Sequence, residues 1–344
     1  MTPPTPSAAA PLEVTDETVE KSITSPAPKA TESRSPGQLA WRRFKRDRTG
    51  FTSACIVIFF FVIAITAPLI AKLYGKNPYT QYGQDAPIGT LLNDAGFPIK
   101  PNGGIDGDFW FGVEPSMGRD VFTFLLYGIR TSLMIATVTT ILVTVIGVVV
   151  GITAGYLGGR TDYFVSRVID IVLSFPSTLF FIAFTPVVYG LFYAADEEIP
   201  AWARGVCLIV LLTAFGWASI ARLLRGQVLA LREREFVEAA KVTGASPARI
   251  IFKELLPNLW TPILIQSTLA LPAFVTAEAG LAFLGVGIQD PTPDWGVMIQ
   301  RGAQFYTDDI TFMIFPGVSM IIFVLAFNLL GDSVRDALDP KSKR

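Results

Sequence analysis

Between residues 50 and 331 the chain alternates long apolar runs with polar, charge-bearing segments. The runs fall at about 50–73, 131–157, 164–192, 203–222, 259–284 and 311–331. Each is near the ~20 residues that a helix needs to cross hydrocarbon, where every backbone polar group must be satisfied within its own segment. The pattern therefore predicts an all-α integral membrane protein with six transmembrane helices. Pro176, Pro186, Pro272 and Pro316 interrupt these runs. Each removes a backbone donor and predicts a kink suited to a gated pathway.

An even number of crossings leaves both termini on one side, and the flanking charges assign that side. Arg42, Arg43, Lys45, Arg46 and Arg48 precede the first run; Arg222, Arg225, Arg232, Arg234, Lys241, Arg249 and Lys253 crowd the loop after the fourth. The loop over 74–118 instead carries Asp85, Asp94, Asp106, Asp108 and Glu114 against Lys76 and Lys100, and Asp196, Glu197 and Glu198 mark a second acidic loop. Cations stay on the cytoplasmic side, so both termini are expected in the cytoplasm and 74–118 outside, in a multi-pass membrane protein. Residues 1–40, rich in Pro, Ser, Thr, Ala and Glu, lack an apolar stretch and predict a disordered cytoplasmic tail. They also lack the basic start and apolar core of a signal peptide. The transmembrane domain is expected over 41–340.

Composition removes several kinds of chemistry. The 344 residues are 51% hydrophobic and 17% charged, with net charge −1 and no histidine, which excludes imidazole metal ligation and imidazole bases and leaves nothing that points to nucleic acid as a partner. Cys55 and Cys207 each sit inside an apolar run and predict small buried hydrophobes rather than a disulfide or a metal site. Ion-coupled carriers need ionisable groups at mid-membrane. Glu278 is the one carboxylate well inside a run. Counted from residue 259 it lies roughly 28 Å up, near the outer face, where helix packing or an external-gate hydrogen bond is expected rather than an ion site. No paired carboxylates at active-site spacing lie within the apolar runs, and no HExxH or GxxxxGK[ST] occurs, so no catalytic residue or metal is assigned; any ATP and Mg2+ must be held by another polypeptide.

The segment over 236–258 has the clearest punctuation. A first helix containing Glu238, Ala239 and Ala240 is predicted to stop at Gly244, which takes the left-handed conformation readily. Ser246 then caps a second helix with Pro247 at its first position, and Pro257 is expected to end it at Leu256. Ile250, Ile251, Phe252, Leu255 and Leu256 are expected to anchor this bent pair to the bilayer surface.

This segment resembles the EAA loop of ABC importer permeases, in which Glu-Ala-Ala is followed by glycine and later by Leu-Pro-Asn. Glu238, Ala239, Ala240, Gly244, Leu256, Pro257 and Asn258 match that pattern; Glu254 departs from it, standing where family members often carry histidine. Further stretches resemble the C-type subunit of the dipeptide/oligopeptide (DppC/OppC-like) family. These are the basic aromatic entry from Trp41 to Arg46, Gly118-Arg119-Asp120 with Tyr127-Gly-Ile-Arg130, the run from Glu278 to Gln289, and Pro291 to Gly296 with Trp295. The segment Asn328 to Pro340 agrees as well, and only the N-terminal tail and the enlarged loop over 74–109 fall outside the resemblance.

The resemblance implies a type I ABC importer permease (MetI-like) fold with a cytoplasmic coupling helix. The matched loop residues would dock an ATPase subunit, and Gly118, Arg119, Asp120, Glu278 and Trp295 would serve an outer-face gate or helix packing. It further implies a second homologous permease subunit, two ABC ATPase subunits and an extracytoplasmic substrate-binding protein as partners, within membrane lipid. The implied solute is a di- or oligopeptide, although nickel-chelate and glutathione systems share these motifs. A secondary carrier or channel, or a membrane scaffold, are the rival classes. No substrate-binding residue is assigned.

Overall fold

The computed structural model describes residues 36–85, 89–194 and 196–338. Most of the expected N-terminal tail, residues 1–35, lies outside them. Residues 36–40, expected to be unstructured, instead begin a helix, α1 (Pro36–Arg46), which starts at a proline and packs against the last helix of the fold. Helix α2 (Arg48–Tyr74) follows after one extended residue, Asp47, whose carboxylate accepts from Thr49 N at 3.0 Å. It ends at Gly75, where φ is +82°.

Apart from short helical turns, the helices that follow are α3 (Val121–Leu157), α4 (Gly159–Ser174), α5 (Ser177–Phe192), α6 (Ala201–Leu231), α7 (Glu235–Val242), α8 (Leu256–Phe283), α9 (Trp295–Phe305) and α10 (Thr311–Leu338). Among the described residues five segments are long and apolar enough to cross a membrane: α2, α3, α6, α10, and α8 with the turns before it. The pair α4 and α5 makes a sixth if it crosses once, bent by 87°. Pro176 causes that break: it offers no N–H, and it holds Phe175 extended at φ −76°, ψ 135°. At 1.5 Å per residue α3 is about 55 Å long, more than the ~30 Å of hydrocarbon, so it projects past the bilayer core.

Helices α3 and α6 form the most extensive pair in the fold. Gly147, Gly151 and Gly155 lie four residues apart on one face of α3, where a Cβ would come within 2.8 Å of Ile220, 2.7 Å of Ala221 and 2.8 Å of Val228. Small residues let two backbones approach where lipid gives no hydrophobic incentive to associate. A second junction is aromatic. Trp295, fully buried, sits among Phe60 at 6.1 Å and Phe323 at 5.8 Å, joining α9 to α2 and α10. The opposite face of α3, with Met134, Val138, Ile141, Val145 and Val149 exposed, is uniformly apolar, as a surface facing lipid or another apolar helix requires.

Candidate functional site

At the end of the bundle shared by α1 and the start of α8, α7 forms a protruding knob. Its C-terminal turn closes as the sequence reading anticipates. Gly244 has φ +80°, Ala245 N donates to Ala240 O at 3.0 Å, and Thr243 N donates to Ala239 O at 3.0 Å. Ser246 then accepts from Arg249 N at 3.3 Å, with Pro247 in the first turn beyond it. Glu238 and Ala239 are exposed and Ala240 half-buried. Glu238 makes no ion pair among the described residues. Val242, 88% exposed, is an apolar tip that sequence reasoning passed over.

Two expectations for this loop need correction. Pro257 does not end a helix. The backbone runs from Pro247–Arg249 through a π-helical turn, Ile250–Leu255, directly into α8, with Leu256 N donating to Ile251 O. The wider turn makes room for a proline ring that an α-helical register would drive against the preceding carbonyls. Pro257 and Asn258 are exposed and Leu256 half-buried, and Asn258 Nδ2 donates to Glu254 O at 2.7 Å, satisfying a carbonyl in the irregular turn. Nor do Ile250 and Leu255 face lipid. Both are buried in a cluster with Val237, Leu224, Val228, Leu259 and Ile263, while Phe252 is 68% exposed. Burial of each such side chain contributes about 1.5–3 kcal/mol. The knob is therefore welded to α6 and α8.

A groove of about 500 Å³ opens where α4 breaks into α5. Ser177 and Thr178, just after the break, Ser219 on α6, and Thr276 and Gly280 on α8 line it together with Phe175, Phe215 and Phe274. Thr178, Ser219, Thr276 and Gly280 are exposed. Its lining carries hydroxyls and aromatic rings but no charge. These hydroxyls, set among aliphatic and aromatic side chains, contrast with the apolar outward face of α3. Periodicity alone does not separate the two, because both lie on mostly apolar helices.

At the far end of the bundle, Arg119 is buried and donates to Glu114 Oε2 at 2.5 Å and Oε1 at 3.1 Å, and to Asp290 Oδ1 at 2.5 Å. Arg301 contacts the same Asp290 oxygen at 2.7 Å and Glu114 Oε1 at 3.0 Å. Burial works against the Arg119 charge, but Glu114 and Asp290 more than offset it and hold its pKa above the ordinary value. Gly118, at φ +69°, lets the preceding turn press against Gly83. Asp120 caps α3 through Thr123 N at 2.8 Å and accepts from the Tyr74 hydroxyl at 3.3 Å. Burial raises its pKa.

Glu278 and Trp295 belong to a separate cluster. Asp294 accepts from Gly296 N at 2.8 Å and from Ser132 Oγ at 2.7 Å; Trp295 donates from Nε1 to Ser319 Oγ at 2.9 Å. Glu278 is fully buried beside Asp294 and Ser132, with neither oxygen in a formed hydrogen bond. Trp295 is thus a core residue. Asp290, Asp294, Ser132 and Arg301 escaped the sequence reading, although Asp294 immediately before a helix is an N-cap signal. Both cysteines are free, and Cys55 is exposed on α2 rather than buried. No cluster among the described residues is arranged to hold a metal ion.

A profile described as binding-protein-dependent transport system inner membrane component matches residues 147–344, and one for the N-terminal TM domain of oligopeptide transport permease C matches residues 35–92. The dipeptide transport system permease protein DppC of Bacillus subtilis (strain 168) is 37% identical over 308 residues, spanning 89% of this chain and 86% of its own length. The corresponding protein of Alkalihalophilus pseudofirmus is 34% identical over 311 residues, 90% of this chain and 91% of its own. The glutathione transport system permease protein GsiD of Escherichia coli O157:H7 is 33% identical over 319 residues, 92% of this chain and 95% of its own. Among solved structures, an inward-facing MetNI methionine ABC transporter chain matches at TM-score 0.50 and 24% identity, covering 63% of this chain and 96% of that one. At that identity the likeness is one of fold.

Proposed function

This chain belongs to the family of binding-protein-dependent transport system inner membrane components, as a permease of an ATP-binding-cassette importer rather than an enzyme, and from that premise we propose that it passes di- or oligopeptides. The observation that carries the mechanism is the exposed acid and apolar tip at Glu238 and Val242 on a knob rooted in buried contacts. An ATPase subunit holding ATP and Mg2+ grips this knob through Glu238, Ala239 and Ala240, with Gly244 and the Leu256-Pro257-Asn258 turn fixing its shape. A second permease subunit completes the pathway, a second ATPase drives that half, and an extracytoplasmic binding protein delivers the solute. The basic end of the bundle, with α1 and α7, faces the cytoplasm.

Mechanical coupling follows from the packing. Val237, Ile250 and Leu255 join the knob to α6 and α8, and these same helices supply Phe215, Ser219, Phe274, Thr276 and Gly280 to the groove. A displacement of the knob therefore moves two of the groove's walls together, alternating access between two states. A charge-free groove with hydroxyls from Ser177, Thr178, Ser219 and Thr276 among apolar side chains suits the amides of a peptide without trapping one side-chain charge. The outer Arg119 cluster holds its end of the bundle as one body. In a Cys55→Ser, Cys207→Ser background, Ala239→Cys should crosslink to the ATPase subunit; absence of that crosslink in an active importer refutes the docking. Competition of labelled dipeptide uptake by unlabelled glutathione separates the peptide reading from the glutathione reading that the relatives at 33% identity support.

A further inference from the structure

Helix α1 combines features that the transport reading uses only to orient the chain. Five cations occupy residues 42–48, Arg42, Arg43, Lys45, Arg46 and Arg48, against one acid, Asp47. Arg42, Arg46 and Arg48 are exposed and make no ion pair among the described residues. Trp41 is 59% exposed; its ring stacks on Phe44 at 6.0 Å and lies 5.2 Å from Lys45 Nζ. Position adds the second argument. Asp47, extended at φ −81°, ψ 104°, breaks the helix so that α1 does not continue the axis of α2. Gly50, where a Cβ would lie 2.6 Å from Ser333 Cβ, clamps the corner against α10. The cations and the tryptophan are thereby held beside the first turn of α2, where its crossing-length segment begins.

We propose that α1 is a docking site for the phosphate-bearing headgroups of anionic phospholipids in the leaflet that α2 enters. Guanidinium groups pair with phosphate oxygens, and an amphipathic indole seats beside them at the headgroup level. A solvated topogenic cluster needs no ordered aromatic pair among its charges, and an acidic protein partner needs none at bilayer height. The proposal rests on the orientation given above only in naming that leaflet the cytoplasmic one.

The test uses the assembled importer with Gln38→Cys, an exposed position on α1, as the single labelled thiol in the Cys55→Ser, Cys207→Ser background. In nanodiscs of equimolar phosphatidylcholine and phosphatidylglycerol, a quencher is carried on one lipid or the other. Quenching by the phosphatidylglycerol carrier should exceed that by phosphatidylcholine by about two- to threefold and should fall as salt rises. Arg42→Gln, Arg46→Gln and Arg48→Gln together should abolish the preference, and the triple lysine variant should keep it. Equal quenching by the two lipids overturns the proposal, as does a preference that survives the glutamine variant or is lost in the lysine one. In intact cells an impermeant thiol reagent should leave the Gln38→Cys thiol unmodified. Labelling from outside overturns the orientation while leaving the lipid preference to stand or fall by the quenching.

Discussion

Arg119 Nη2 and Asp290 Oδ1 meet at 2.5 Å, tying the loop before α3 to the segment between α8 and α9. The guanidinium is almost wholly enclosed, and Glu114 closes its other side. Removing one partner of such a cluster leaves an uncompensated buried charge, which costs far more than removing both. Arg119→Met should therefore destabilise the purified importer by about 3 kcal/mol or more, while Arg119→Met combined with Glu114→Gln should recover most of that loss. Thermal unfolding of the two variants side by side provides the comparison; equal destabilisation would contradict a buried network.

The groove gives a test of the pathway. Gly280 is exposed on α8, and a Cβ built there meets nothing within 4 Å. Gly280→Phe should fold and assemble normally, keep basal ATP hydrolysis, and reduce peptide uptake about tenfold or more, most strongly for bulky peptides. Gly317, similarly unobstructed but on α10 and outside the groove, provides the control. Uptake unchanged by Gly280→Phe would remove the groove from the pathway.

Close helix approach predicts the reverse behaviour at Gly151. A Cβ there would lie 2.7 Å from Ala221 O, a backbone atom that cannot rotate away. Gly151→Leu should force α3 and α6 apart at a cost of about 1–3 kcal/mol or more, seen as loss of assembled complex, with Gly151→Ala intermediate.

At the knob, Glu238→Arg and Val242→Asp should leave membrane insertion and ATP hydrolysis by the partner intact but break the link between hydrolysis and uptake. Uptake per ATP hydrolysed is the measurement, and a normal ratio in Glu238→Arg argues against docking at this surface.

Asn258→Ala removes the 2.7 Å hydrogen bond to Glu254 O. The loss should be about 1 kcal/mol or less, because water reaches this exposed turn. It should show as faster amide exchange across Ile250–Leu255, with lower uptake per ATP. Exchange unaltered there would mean that the π-helical turn does not depend on this side chain.

The all-helical membrane fold was legible in the chain because an apolar run of crossing length admits few other structures, and a proline after Phe175 announces a break. The left-handed turn at Gly244 and the cap at Ser246 were equally readable, since each is settled by neighbours within a few residues. Pro257 was misread: its local preference to stop a helix yields to a π-helical turn held by Ile250 and Leu255 in the core. The meeting of Arg119 with Asp290, the burial of Trp295 among aromatic rings, and the convergence of α4, α5, α6 and α8 on the groove were decided only by tertiary packing. Helices that are apolar on nearly every side carry no periodic mark of which face meets a neighbour, so local chemistry writes the elements and their ends, while side-chain fit between distant segments chooses the partners.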